Sequence, residues 1–213
     1  MTSTEALAAV ETPSIVLVSG SLRAGSTSDR VARWCARQCT QQGAETRVFT
    51  GAELQFPFYR PGLSEQDGEY GEIGGFVRAL SRADGLVLIS PTYHGTVSGL
   101  LKNALDYAND LVAPRVFLEG VPVGCVAVGA GPQGMASTLT TLRTIAHALR
   151  AWPTPLGVTA RDWTDDGAVP AGGMSAEQQQ SRDQMAVMIT QVLSMSSVNA
   201  VASARQRLAA GRG

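Results

Sequence analysis

The stretch I-V-L-V-S-G-S-L-R-A-G-S-T-S-D-R, Ile15 to Arg30, passes from an apolar run directly into hydroxyls, glycines and arginine. Ile15 to Val18 reads as a buried strand that ends at Ser19-Gly20. From Thr27 to Gln41, Val31, Trp34, Cys35 and Cys39 recur at helical spacing, and Gly43 is a natural stop. The order is strand, loop, helix. What the loop between them serves is the first question: it is either an ordinary helix cap or the seat of an anion.

Working outward, the same unit repeats. Glu45 to Phe49 reads as a short strand, followed by a loop punctuated by proline and glycine, F-P-F-Y-R-P-G, with an acidic tail through Glu72. The pattern predicts a helix over Ile73 to Ser81, a strand without alternation over Gly85 to Ile89, and an amphipathic helix over Val97 to Leu111. Val121 to Val128 follows as a strand, Met135 to Arg150 as a helix, Leu156 to Thr159 as a last strand, and Ser175 to about Ser196 as a terminal helix. Strands apolar on both faces and separated by helices predict a parallel sheet covered on each side. Five strands give a doubly wound α/β domain, and the expected limits are residues 14–197, with tails at 1–13 and 198–213.

Composition narrows the function. A chain of 213 residues, 44% hydrophobic, can bury a full core in one domain. A formal net charge of -1 without a basic run lacks the electrostatic footprint of a nucleic-acid binder. Three cysteines, an odd number, do not make a disulfide framework, so a reducing cytoplasm is the expected setting. Cys35 and Cys39 lie one helical turn apart, but no second Cys/His pair stands nearby, and buried thiols are the simpler expectation over a metal site. Met1 to Pro13 carries Glu5 and Glu11 and no basic start, unlike a signal peptide, and no run reaches the roughly 18 consecutive apolar residues of a membrane span.

In doubly wound sheets ligands bind beyond the carboxyl ends of the strands. Three loops come to that edge: Ser19 to Ser28, Ser90 to Gly95, and Gly129 to Gly134. In the first, Ser21, Ser26, Thr27 and Ser28 offer hydroxyls, the helix start offers open N–H groups, and Arg23 offers a fork for a phosphate. Ser26 followed by Asp29 also satisfies a capping box without any ligand. Capping leaves Ser21 and Arg23 unexplained. A Walker loop is excluded, since no Gly-Lys-Ser/Thr follows the glycines. The third loop, G-A-G-P-Q-G, matches the dinucleotide fingerprint in form, yet it follows the fourth strand and lacks the acidic partner about 20 positions on. Its glycines fit close approach to a flat ligand better.

The middle loop and its helix, S-P-T-Y-H-G-T-V-S-G-L-L-K-N-A-L-D-Y from Ser90 to Tyr107, set polar and aromatic residues at the end of a buried strand. Here the sequence resembles the NADPH-dependent FMN reductase family of flavodoxin-like proteins, whose members carry G-S-x-R-x-x-S after the first strand and P-x-Y-x-G running into L-K-N-A-L-D-W after the third. The resemblance covers roughly Ile15 to Gln133. It implies a five-stranded flavodoxin-like fold, FMN as cofactor and NADPH or NADH as hydride donor. It implies that Ser21, Arg23, Ser26 and Ser28 hold the FMN phosphate, with Thr27 in the same loop, that Pro91, Thr92, Tyr93, His94 and Gly95 run beside the ribityl chain and ring, and that Gly129 and Gly131 line the ring's other side. The family commonly has Asn where Ser28 and His94 stand, and Trp where Tyr107 stands, a change that bears on subunit contact.

The resemblance leaves the acceptor open: free flavin, a quinone, an azo dye, a metal oxyanion or a partner monooxygenase. A quinone or azo reductase with permanently bound FMN, and a flavodoxin-type carrier or FMN-binding regulator without nicotinamide turnover, are the alternatives. His147 lacks an orienting partner, no G-x-S-x-G elbow follows any strand, and the cofactor itself carries hydride chemistry, so no protein acid or base is assigned. The helix face bearing Lys102, Asn103, Asp106, Tyr107 and Asp110 is more structured than a simple solvent face, and the resemblance implies pairing through this helix as a homodimer or homotetramer, against the plainer reading of a solvated face with a Lys102–Asp106 pair. The loop from Phe56 to Tyr70 is either a lid over the cleft or a segment that packs on the surface.

Overall fold

The computed structural model describes residues 12–67, 71–161, 163 and 173–210. Six strands, β1 (Ser14–Ser19), β2 (Glu45–Phe49), β3 (Gly85–Pro91), β4 (Pro122–Val128), β5 (Trp152–Pro153) and β6 (Val158–Ala160), form one parallel sheet. Their order is β2-β1-β3-β4-β5, and β6 pairs with the other half of β4. Trp152 and Pro153 lie opposite Pro122 and Val123, whereas Val158 to Ala160 lie opposite Val126 to Val128. The fifth position in the sheet is therefore one strand in two pieces, and the expected strand at Leu156 to Thr159 starts earlier than its apolar run suggested. Pro153 and Pro155 cannot donate to a ladder, which breaks the edge strand between the pieces.

The apolar runs feed two cores alternately, as period-2 side-chain direction requires. Val16 and Val18 of β1 with Leu86 and Leu88 of β3 pack against α3 (Glu72–Arg82), α4 (Gly99–Asp106) and α5 (Pro132–Ala148). Ile15 and Leu17 with Val87 and Ile89 pack on the opposite face against α1 (Thr27–Gln41) and α6 (Ala176–Ala210). A short helix, α2 (Leu63–Asp67), lies inside the loop after β2.

Several ends differ from expectation. α4 stops at Asp106 and continues as a 3-10 turn, Tyr107–Asp110, so the helix expected through Leu111 tightens in its last turn. α5 begins at Pro132, where a residue without an N–H costs nothing, rather than at Met135. α6 runs past Ser196, and Asn199 donates to the carbonyls of Asp84 and Gly120, tying its far end to the amino edge of the sheet. By length and composition Ala176–Ala202 is apolar enough to cross a membrane, but Met185, Met188, Ile189 and Val192 are buried against the sheet, as in a core helix.

All three cysteines are buried and unpaired in disulfides. Burial pushes the Cys39 and Cys125 thiols up to about 12 and Cys35 higher still, so none is a thiolate nucleophile at neutral pH. Among the described residues no group of three or more His, Cys, Asp or Glu is placed to hold a metal.

Candidate cofactor site

The carboxyl ends of β1, β3 and β4 stand side by side, with Ser19 opposite Ile89 and Pro91 opposite Val128. The loops that follow are fastened to one another. Gly20 N–H donates to the Ile89 carbonyl at 2.9 Å, and the Ser98 hydroxyl donates to the Gly20 carbonyl at 2.6 Å. On the other side, Thr92 N–H donates to the Val128 carbonyl at 2.7 Å. The first of these needs glycine for space, since a Cβ on Gly20 would stand 2.7 Å from Leu101 Cβ; one on Gly129 would be tight, at 3.1 Å from Thr92 Cβ and Met135 Cγ.

In the first loop, Ser26 is the N-cap of α1, its Oγ accepting from the Asp29 amide at 3.1 Å. Asp29 does not complete the capping box; its buried carboxylate accepts instead from the Ser19 hydroxyl at 2.6 Å. The cap reading is thus right for Ser26, and it accounts for no other hydroxyl. Ser21 and Ser28 are 4% and 1% exposed, yet neither hydroxyl has a hydrogen-bond partner among the described residues. Arg23 stands exposed at the loop's crest and no described side chain pairs with it. Thr27 Oγ1 accepts from Arg30 Nη2 at 3.2 Å, and Arg30 also donates to the carbonyls of Gly25 at 2.7 Å and Trp163 at 3.0 Å. Arg30 holds the loop's shape, a role its place in the helical pattern did not signal.

In the middle loop Tyr93 and Thr96 exchange two backbone hydrogen bonds at 3.1 Å, closing a tight hairpin over His94 and Gly95. Both turn residues have positive φ, 52° and 77°, the conformation of a type I′ turn. Left-handed backbone favours Gly, then Asn, Asp and His, so His94 is an acceptable residue at this turn. Pro91 closes β3 and Tyr93 is 53% exposed, its ring open beside the edge. In the third loop Gly131 is exposed and precedes α5 as an N-cap without a side-chain bond. Arg161, absent from the sequence reading, donates to the Ala130 carbonyl between the two glycines. His147 lies exposed in the last turn of α5, remote from these loops along the helix.

The residues fit a phosphorylated, flat cofactor on three grounds: unpartnered hydroxyls at Ser21 and Ser28 beside a helix start, the buried Thr92 Oγ1 without a partner, and the close packing of Thr92 on Gly129 between the middle and third loops. Donors left unmet in the protein are what an FMN phosphate and ribityl chain would satisfy.

The loop after β2 is not a free lid. Asn103 of α4 accepts from the Tyr59 amide at 3.0 Å and donates to the carbonyls of Phe56 at 3.1 Å and Pro57 at 2.9 Å. Tyr107 OH also donates to the Pro57 carbonyl, and Tyr59 OH and Ser64 Oγ both donate to Asp110. Partial burial, and then the Asp110 carboxylate, push the Tyr59 phenol above its ordinary value. The segment from Phe56 to Ser64 is strapped down; Tyr70 lies outside the described residues. Asn103, Tyr107 and Asp110 are thereby engaged within the chain, while Lys102 and Asp106 pair at 2.6 Å on the surface.

A parallel sheet in the order 2-1-3-4-5, whose strand order reverses between β1 and β3, defines a flavodoxin-like α/β protein. Residues 13–165 match the family of NADPH-dependent FMN reductases, and the chain belongs to that family. It is 29% identical over 163 residues to the FMN-dependent NADPH-azoreductase of Staphylococcus haemolyticus, covering 72% of this chain and 82% of that one. Among solved structures it is similar to FerB, a flavoenzyme NAD(P)H:(acceptor) oxidoreductase from Paracoccus denitrificans, with TM-score 0.67, 16% identity and coverage of 86% and 99%. The apo form of the NADH:FMN oxidoreductase EmoB matches with TM-score 0.63, 20% identity and coverage of 84% and 89%.

Proposed function

We propose that this chain is an NAD(P)H-dependent FMN oxidoreductase that passes electrons from NADPH or NADH to a small-molecule acceptor. The observation that carries the reading is the pair of buried serines, Ser21 and Ser28, whose hydroxyls have no partner among the described residues, on a loop bolted by Ser98 to the middle loop. FMN, when bound, supplies the hydride acceptor and the outgoing electrons. The protein's part is placement. Ser21, Ser28 and Arg23 would grip the phosphate, with Thr27 as a further hydroxyl; Pro91, Thr92, Tyr93, His94 and Gly95 would border the ribityl chain and one side of the ring, and Gly129 and Gly131 the other.

One cleft then serves donor and acceptor, because the sole dinucleotide-like loop, at Gly129, lacks the position and the acidic partner that a second nucleotide site needs. Flavins, quinones and azo compounds are flat enough to share it, and the reading places the enzyme in the cytoplasm. Self-association belongs to the same reading: Phe58 is 90% exposed yet held rigidly between the anchored Pro57 and Tyr59, an apolar contact that a second copy would cover.

The test is the visible spectrum of the purified protein, followed by NADPH and NADH oxidation with and without added FMN. A yellow or FMN-reconstituted protein that bleaches with nicotinamide, and that gives parallel double-reciprocal lines against a quinone, supports the reading. FMN binding without bleaching by either nicotinamide overturns it in favour of a carrier.

A further inference from the structure

We propose that Ser98, which lies outside every residue assigned above to the cofactor, is the positioning residue that aims the phosphate loop. The inference rests on the FMN reading and deepens it. Ser98 is 2% exposed and stands where the middle loop enters α4. Its single hydroxyl hydrogen goes to the Gly20 carbonyl at 2.6 Å, while its oxygen accepts from the Leu101 amide at 3.2 Å as the N-cap of α4. Its own amide donates to Ser90 Oγ at 3.1 Å, and Ser90 Oγ donates to the Pro91 carbonyl at 2.8 Å. One side chain thus joins the first loop, the middle loop and a helix start.

The peptide that matters is Gly20–Ser21. It is planar and trans, so its carbonyl and the following N–H point in opposite directions. α4 packs on one face of the sheet and α1 on the other. With the Gly20 carbonyl held to Ser98 on the α4 side, the Ser21 N–H turns toward the α1 side, where Ser28 and the open start of the helix lie. No backbone carbonyl among the described residues receives that N–H. The restraint is needed because of the glycine itself: only Gly fits against Leu101 and Ser98, and a glycine peptide rotates at little steric cost. Ser98 supplies what Gly20 lacks. A donor already aimed at the anion avoids the ordering cost of binding, which is how preorganisation raises affinity.

The experiment compares FMN and riboflavin affinity of the apoprotein, wild type against Ser98→Ala, Ser98→Thr and Ser98→Gly, with the 31P resonance of bound FMN as a second readout. Loss of one aimed hydrogen bond to a charged group predicts about tenfold weaker FMN binding in Ser98→Ala. Riboflavin affinity should stay within about twofold, since it lacks the phosphate, and the 31P resonance should move. Ser98→Thr keeps the hydroxyl and restores both. Ser98→Gly is a tolerated N-cap that adds no charge and cannot donate to Gly20, so it shows the same selective loss even if Ser98→Ala fails to fold. Equal losses for FMN and riboflavin, or an unchanged ratio in both donor-less variants, overturn the proposal. A wild type that does not prefer FMN to riboflavin overturns the phosphate site itself, an outcome separate from the failure of Ser98.

Discussion

The Ser19 hydroxyl donates to the Asp29 carboxylate at 2.6 Å, with both residues buried, and so pins the last residue of β1 to the first turn of α1. Two ends of one loop are closed by a bond that neither the strand pattern nor the capping pattern announces. Asp29→Ala leaves the Ser19 hydroxyl buried without its acceptor, and is expected to cost about 1–3 kcal/mol of unfolding free energy. Urea denaturation followed by circular dichroism measures it; an unchanged midpoint would mean that the pair contributes nothing.

Arg23 is exposed and unpaired among the described residues, so its removal disturbs no protein contact. Arg23→Ala is expected to weaken FMN binding by about 1.5–3 kcal/mol, the scale of a hydrogen bond to a charged group, while stability stays within about 0.5 kcal/mol. Fluorescence titration of the apoprotein decides this, and equal affinities would remove Arg23 from the phosphate site.

Asn103 makes three hydrogen bonds to the backbone of Phe56, Pro57 and Tyr59, and Asn103→Ala removes them all. The strap should loosen locally, seen as at least tenfold faster exchange of the Tyr59 amide, about 1.4 kcal/mol of lost protection. Flavin reduction by NADPH, followed anaerobically, should keep its rate, because a strap on α4 does not gate the cleft. A parallel fall in that rate would restore the lid.

The three thiols have a folded-state consequence at high pH. Burial raises Cys39 and Cys125 from the ordinary 9.0 to about 12, so the unfolded chain gives up these protons first. The stability they contribute is complete below pH 9 and is lost as pH rises from 9 toward 12. Native protein at pH 8 should take up no iodoacetamide, and Cys39→Ala should flatten the alkaline arm of the stability profile. Rapid alkylation of the native protein at pH 8 would contradict the burial.

Ile15 to Val18, Gly85 to Ile89 and Val121 to Val128 were legible as doubly buried strands because each is apolar at every position, and helix α1 was legible from the spacing of Val31, Trp34, Cys35 and Cys39. Local patterns of this kind fix element type and, through parallel pairing, the sheet edge that carries the loops. The tertiary structure alone decided the partners. Ser98 meets Gly20 and Arg30 meets Trp163 across 78 and 133 positions, and no local period encodes contacts at that range. The same holds for Tyr107, whose hydroxyl bonds to Pro57 across 50 positions and takes it from the surface into the core. The sequence by itself determined a five-stranded α/β sheet and three loops at its carboxyl edge; packing determined which of their hydroxyls are used within the protein and which are left for a ligand, because a buried donor's partner is set by what the fold brings within about 3 Å.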